Sequence, residues 1–217
     1  MRGDDGDETR LTVGPVIITG NEFVDGFVAP DYIVDDIIQR GRLLSLTAKT
    51  GHGKTAIATS LMFSFAHGVP FGGRPVEQGK VLFLAGENPD DVRARFLVCS
   101  DVYDLSINEN IHVVPGIFDI EQQQVFIKRQ VNSIGDLTAV IIDTSAAYFM
   151  GTEENDNVQM IHHAHVLRKL SELPGKPAII VPCHPVKNAS KDNLLPRGGG
   201  AFLNEIDGNL TLWSDDN

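Results

Sequence analysis

The sequence predicts an α/β fold with a mostly parallel central sheet flanked by helices. Two observations carry this. Short, predominantly apolar runs recur at residues 43–47, 80–85, 139–143 and 178–182, as expected of strands buried on both faces. Between them lie helix-length segments at 54–66, 90–100, 121–133 and 158–173, and strands alternating with helices call for parallel crossover connections. The 217 residues make one domain, large enough to bury a core without a disulfide or structural metal. A hydrophobic content of 42% beside 22% charged residues excludes a largely disordered chain.

Each element has its own signature. Residues 1–10 (MRGDDGDETR) read as an acidic disordered tail, leaving 11–217 as the domain. Residues 32–40 fit a short helix or a lead-in strand. The 43–47 strand runs into a glycine-containing turn and then the 54–66 helix, with Phe63, Phe65 and Phe71 as core. The 90–100 helix has an acidic first turn, which suits the helix dipole. A short strand at 111–114 precedes the 121–133 helix. In the 158–173 helix, Val158, Ile161, Leu167 and Leu170 are the expected core positions. A last strand is expected at 209–213, with Trp213 packed in it.

Charge and cysteines bound the setting. The net charge of −11 argues against bulk attraction to nucleic acid. No apolar run is long enough to span a bilayer, and the acidic N-terminus is unlike a signal peptide. Cys99 and Cys183 form no CxxC pair, so a reduced, cytoplasmic setting is expected.

The strongest chemical signal is Ala48-Lys49-Thr50-Gly51-His52-Gly53-Lys54-Thr55, followed by Ala56, between a strand and a helix. That is the context of a phosphate-binding loop. Gly51 and Gly53 let backbone N–H groups turn inward around phosphate oxygens at a helix N-terminus. Lys54 can reach the β- and γ-phosphates of ATP, and the Thr55 hydroxyl can ligate Mg²⁺. Ala48 stands where the consensus has glycine, the mildest departure available. A second Mg²⁺ carboxylate is needed at the end of a buried strand, and Asp143 closes the run AVIID. Hydrolysis needs a base for the attacking water. Glu87 follows the 80–85 strand and emerges at the carboxyl edge of the sheet, where ligands bind in α/β folds.

The order GRLLSLTAKTGHGKT, VLFLAGENPDDVRARF, AVIIDTSA, AIIVPCHPVK and PRGGGAFLNEIDGNLTLW resembles the RecA-like ATPases. Within them it is most similar to the plasmid RepA-type hexameric helicases and related AAA-family ATPases, from about residue 32 to 213. The resemblance implies a RecA-like P-loop core and Mg-dependent ATP hydrolysis in DNA replication or recombination. It implies that Glu87 is the catalytic base and that His184 senses the γ-phosphate. Relatives often carry a His-His pair there, whereas this chain has Cys183 first. It also implies that Arg197 acts on the ATP of a neighbouring subunit, hence a homo-oligomer, a hexameric ring.

In such rings single-stranded DNA contacts the loops at 146–157 and 185–200. The first carries Glu153, Glu154 and Asp156 with no basic residue. The second carries Lys187, Lys191 and Arg197 and is the better match to a phosphate backbone. Two other readings stay open: a KaiC-type regulatory ATPase with a protein client, and a switch in which ATP binding alone orders 185–200. His162, His163 and His165 form a HHAH run whose bland reading is a polar helix face, since no carboxylate at helical spacing completes a zinc site.

Overall fold

The computed structural model describes residues 16–27 and 29–215; the acidic tail at 1–10 lies outside them. The chain divides into two units, Met1–Pro30 and Asp31–Asn217. The first contains α1 (Gly20–Asp25), started by a reciprocal cap between Thr19 and Glu22. This helix buries no residue, and Ile17, Phe23, Val24 and Phe27 are exposed.

The second unit opens with β1 (Tyr32–Val34) and β2 (Ile38–Gln39), an antiparallel pair. Residues 32–40 are therefore a hairpin rather than a helix. A parallel six-stranded sheet follows, built from β3 (Leu43–Thr47), β4 (Lys80–Ala85), β5 (Ile111–Pro115), β6 (Leu137–Asp143), β7 (Ala178–Cys183) and β8 (Gly208–Thr211). Its order is β5-β4-β6-β7-β3-β8, and every pairing is parallel.

Period-2 alternation divides the core between the two faces of this sheet. Leu44, Leu46, Val81, Phe83 and Ile141 pack with α2 (Lys54–His67) and α3 (Pro89–Tyr103), which supply Leu61, Phe65 and Phe96. Leu43, Leu82, Leu84, Val140 and Ile179 pack on the other face with α4 (Ile120–Ile134) and α5 (Asn157–Arg168). Phe202 from α6 (Gly199–Glu205) joins that second cluster. In β3, β4, β6 and β7 both faces are buried, which explains why these four strands read as predominantly apolar runs.

Side chains set the helix starts. Asn88, Asp119 and Asp156 cap α3, α4 and α5 by accepting a backbone N–H three residues on. Phe63 and Phe65 are buried and Phe71 packs partly against the core, as expected. Three expectations need correction. Helix α5 ends at Arg168 and continues as a 3-10 turn to Glu172, so the helical phase drawn through to residue 173 breaks. Leu167 and Leu170 are buried, whereas Val158 is 76% exposed in the first turn. The last strand stops at Thr211, so Trp213 lies beyond it. Among the described residues, no helix is long and apolar enough to cross a membrane.

Candidate functional site

Strand β3 delivers the chain into the loop at 48–53. Ala48 is fully buried and its N–H donates to the Cys183 carbonyl at 3.4 Å, so its methyl group lies inside the core. Gly51 and Gly53 have φ of +83° and +85°, left-handed values that a Cβ disfavours. Helix α2 begins immediately at Lys54, presenting its first N–H groups and positive dipole end to the loop.

Lys54 is almost fully buried. Its ammonium donates to the carbonyls of Ala48 (2.8 Å) and Lys49 (3.2 Å). Burial lowers its pKa, and the negative charges of Glu87 and Asp143 oppose that shift. The Thr55 hydroxyl donates to Asp143 Oδ1 at 3.4 Å. Asp143 closes β6 only 3% exposed. Burial pushes its pKa up to about 6; the Thr55 hydrogen bond, Lys54 and Arg95 pull it down, while Glu87 adds to the rise. A buried carboxylate in that condition is served by a nearby cation.

Glu87 is tied to Asp143 through the backbone. The N–H groups of Gly86 and Glu87 donate to the Asp143 carbonyl at 2.9 and 3.2 Å. Gly86 is required by close approach, because a Cβ there would stand 2.6 Å from the Tyr148 ring. His184 follows β7 half-buried, its pKa lowered first by desolvation and then by Lys54. Lys54, Thr55, Glu87, Asp143 and His184 all line one cavity of about 430 Å³ with Gly51 and Gly53.

The remaining expected site residues divide between this cavity and its surroundings. Thr50 and Ala56 line the same cavity, but Lys49 and His52 face outward from the loop. Arg197 is not a lining residue; its guanidinium bonds Glu154 of the same chain at 3.0 Å. Lys191 is paired with Asp215 at 3.1 Å. The 185–200 segment is itself folded, with Pro185 bridging Pro196 and Ser190 bridging Asn193.

The HHAH run splits three ways. His162 and His165 reach Glu121 (2.8 Å) and Glu205 (3.0 Å), while His163 is buried against Ser145 Oγ at 3.1 Å. His163 thus departs from the expected polar face. Among the described residues no group of three His, Cys, Asp or Glu side chains is placed to hold a metal. Thr55 and Asp143 are hard oxygen donors of the kind Mg²⁺ accepts together with phosphate oxygens and water, so they fit that ion.

Residues 19–190 match a family model described as AAA domain. The chain belongs to the AAA domain family. Its core is that of a RecA-like P-loop ATPase, as the motif order led us to expect. Among solved structures it is similar to a KaiC-like protein from the hyperthermophilic archaeon Pyrococcus horikoshii OT3. That likeness has a TM-score of 0.55 and 17% identity, covering 82% of this chain and 74% of the other. At this identity it is a likeness of fold. No curated protein matches the chain.

Sequence reasoning missed part of this AAA-domain pocket. Asn88, Asp91, Val92, Arg95 and Thr144 also line it. Arg95 Nε pairs with Asp91 at 2.7 Å, placing a second cation beside the phosphate loop. The i, i+4 spacing of 91 and 95 was a usable signal. Their facing, however, depends on α3 starting at Pro89 under the Asn88 cap.

Proposed function

We propose that this chain binds Mg·ATP in the P-loop cavity and hydrolyses it to ADP and phosphate. The support is the convergence of Lys54, the Thr55–Asp143 pair and Glu87 on one cavity at the carboxyl edge of the sheet. In this reading the nucleotide's phosphates take over Lys54 from the Ala48 and Lys49 carbonyls, and the loop N–H groups bind the remaining oxygens. Thr55 and Asp143 would hold Mg²⁺, which supplies positive charge to the phosphates. Glu87 accepts a proton from the attacking water, whose oxygen forms a bond to the γ-phosphorus as the bond to the β,γ-bridging oxygen breaks. ADP carries away that electron pair, and Glu87 returns the proton to solvent. His184 lines the same cavity after β7, and in this reading a hydrogen bond from it to the γ-phosphate would report hydrolysis to β7 and the segment after it. Arg197 stands outside the cavity of its own chain, so it would serve a neighbour's ATP after leaving Glu154, within a hexameric ring.

We further propose a RepA-like helicase or translocase role in a cytoplasmic setting, with single-stranded DNA contacting 185–200. A protein client, as for KaiC-like regulatory ATPases, is the second reading. It is favoured by the carboxylate partners of Lys191 and Arg197 and by the charge of −11. Steady-state ATP hydrolysis with and without single-stranded DNA tests both. Stimulation supports the helicase reading, and hydrolysis indifferent to DNA supports the protein client. Glu87→Gln should keep ATP affinity and lose turnover by about 10²-fold or more; turnover at the parental rate would remove Glu87 from its role. A parental chain that binds ATP without turnover would instead be a nucleotide switch.

A further inference from the structure

The single tryptophan lies just beyond β8, against the outer side of the phosphate loop. The Leu212 N–H donates to the Thr47 carbonyl at 3.0 Å, so the chain follows β3 up to the point where β3 becomes the loop. The Ser214 N–H then donates to His52 Nδ1 at 3.0 Å. The Trp213 ring meets the His52 ring edge-on at 5.2 Å, and the Lys49 ammonium stands 4.7 Å from the Trp213 centroid. The indole N–H is committed to Asp215 at 3.1 Å, and the same carboxylate holds Lys191. What Trp213 offers the loop is therefore a half-buried π face.

Sheet order gives this position a meaning. Glu87, Asp143 and His184 follow β4, β6 and β7, which all lie on one side of β3. Trp213 follows β8, the strand on the other side. A triphosphate lying along the loop with its terminal phosphate toward those three groups must lead the rest of the nucleotide out toward β8. Trp213 stands on that exit, and Lys49 covers its face by a cation–π contact, which is weak at a partly exposed site. We propose that Trp213 is the platform on which the nucleobase stacks, the Lys49 ammonium yielding the ring face as the base arrives. The inference rests on the ATP-binding reading above. Because the indole N–H is already spent on Asp215, recognition is by the ring face alone. The class of ligand is then a nucleoside triphosphate held by stacking, the larger purine rings offering more face to Trp213 than pyrimidines do.

The test compares Mg·ATP with Mg·tripolyphosphate, which has the phosphates and no base, by calorimetry on the full chain. Trp213→Leu keeps apolar bulk without a π face. It should weaken ATP by about tenfold and leave tripolyphosphate affinity unchanged, while Trp213→Phe retains most ATP affinity. ATP should also quench the emission of the parental chain, which has no other tryptophan to report. Equal loss of both ligands would make Trp213 a prop of the loop, and no loss of either would remove the platform while leaving ATP binding intact. Should the parental chain bind neither ligand, the nucleotide reading falls and the platform falls with it.

Discussion

His163 lies between the edge of Phe149 (5.5 Å) and the stacked ring of Phe202 (6.0 Å), with Ser145 Oγ as its polar partner. Burial, with a smaller push from His162, lowers its pKa from 6.5 to about 4. The folded chain thus resists a proton that the unfolded chain accepts below pH 6.5. Its contribution to stability is complete above that pH and is lost progressively as pH falls toward 4, reaching roughly 3 kcal/mol there. Asp143 works in the opposite sense over a similar window, because its folded pKa is raised to about 6. The contribution of His163 is therefore read as a difference. Urea unfolding of the parental chain and of His163→Gln between pH 7 and pH 4 should show the parent losing more stability by about that amount. Parallel curves would show that His163 takes a proton without cost. Nothing in the HHAH run separates this histidine from its neighbours; only the packing of α5 against Phe202 and Ser145 does.

Among the elements, the β4–Gly86–Glu87 junction is where packing and chemistry meet. The buried Tyr148 ring occupies the space a Gly86 side chain would need, with Ala147 Cβ also 3.0 Å away. Gly86→Ala should cost about 1–3 kcal/mol of stability and shift Glu87 enough to lower kcat while Mg·ATP affinity holds. Combining it with Tyr148→Ala should recover part of both losses, since contacting residues couple. Thermal melts and steady-state kinetics of the four chains read the cycle, and strictly additive effects would deny the contact. Element by element, the long buried strands and the P-loop were legible because their signals are local: apolar runs, and a glycine pattern at a strand-to-helix turn. The hairpin at 32–39 was not, since strands of three and two residues are too short to show a period. Arg95 and Val158 were misjudged or missed because each depends on helical phase, set by Asn88 and Asp156 at the caps. Trp213 needed the point at which β8 stops, and strand ends depend on pairing rather than composition.

For the whole molecule, apolar side chains remain on the surface of the Asp31–Asn217 unit. Leu97, Val98 and Val102 are exposed on α3, and Val125 and Phe126 on α4. If Arg197 serves a neighbour, Arg197→Ala should lower turnover by about 10³-fold in assemblies without changing the ATP affinity of isolated subunits. Mixtures of Arg197→Ala with Glu87→Gln should regain activity where an intact arginine meets an intact base. Mixtures no more active than either variant alone would confine the chemistry to single subunits.

The two hydrogen bonds from Gly86 and Glu87 to the Asp143 carbonyl have a consequence for timing. They join the backbones that carry the proposed water-activating group and the proposed cation ligand, so in the proposed ring that backbone spacing would be set within each subunit. A ring with that half of its chemistry preset would, under the proposed mechanism, have no internal throttle there. Under the proposed mechanism, nucleotide is then spared between working strokes only by delaying what arrives from outside, and specific activity would climb with protein concentration until every subunit has a neighbour.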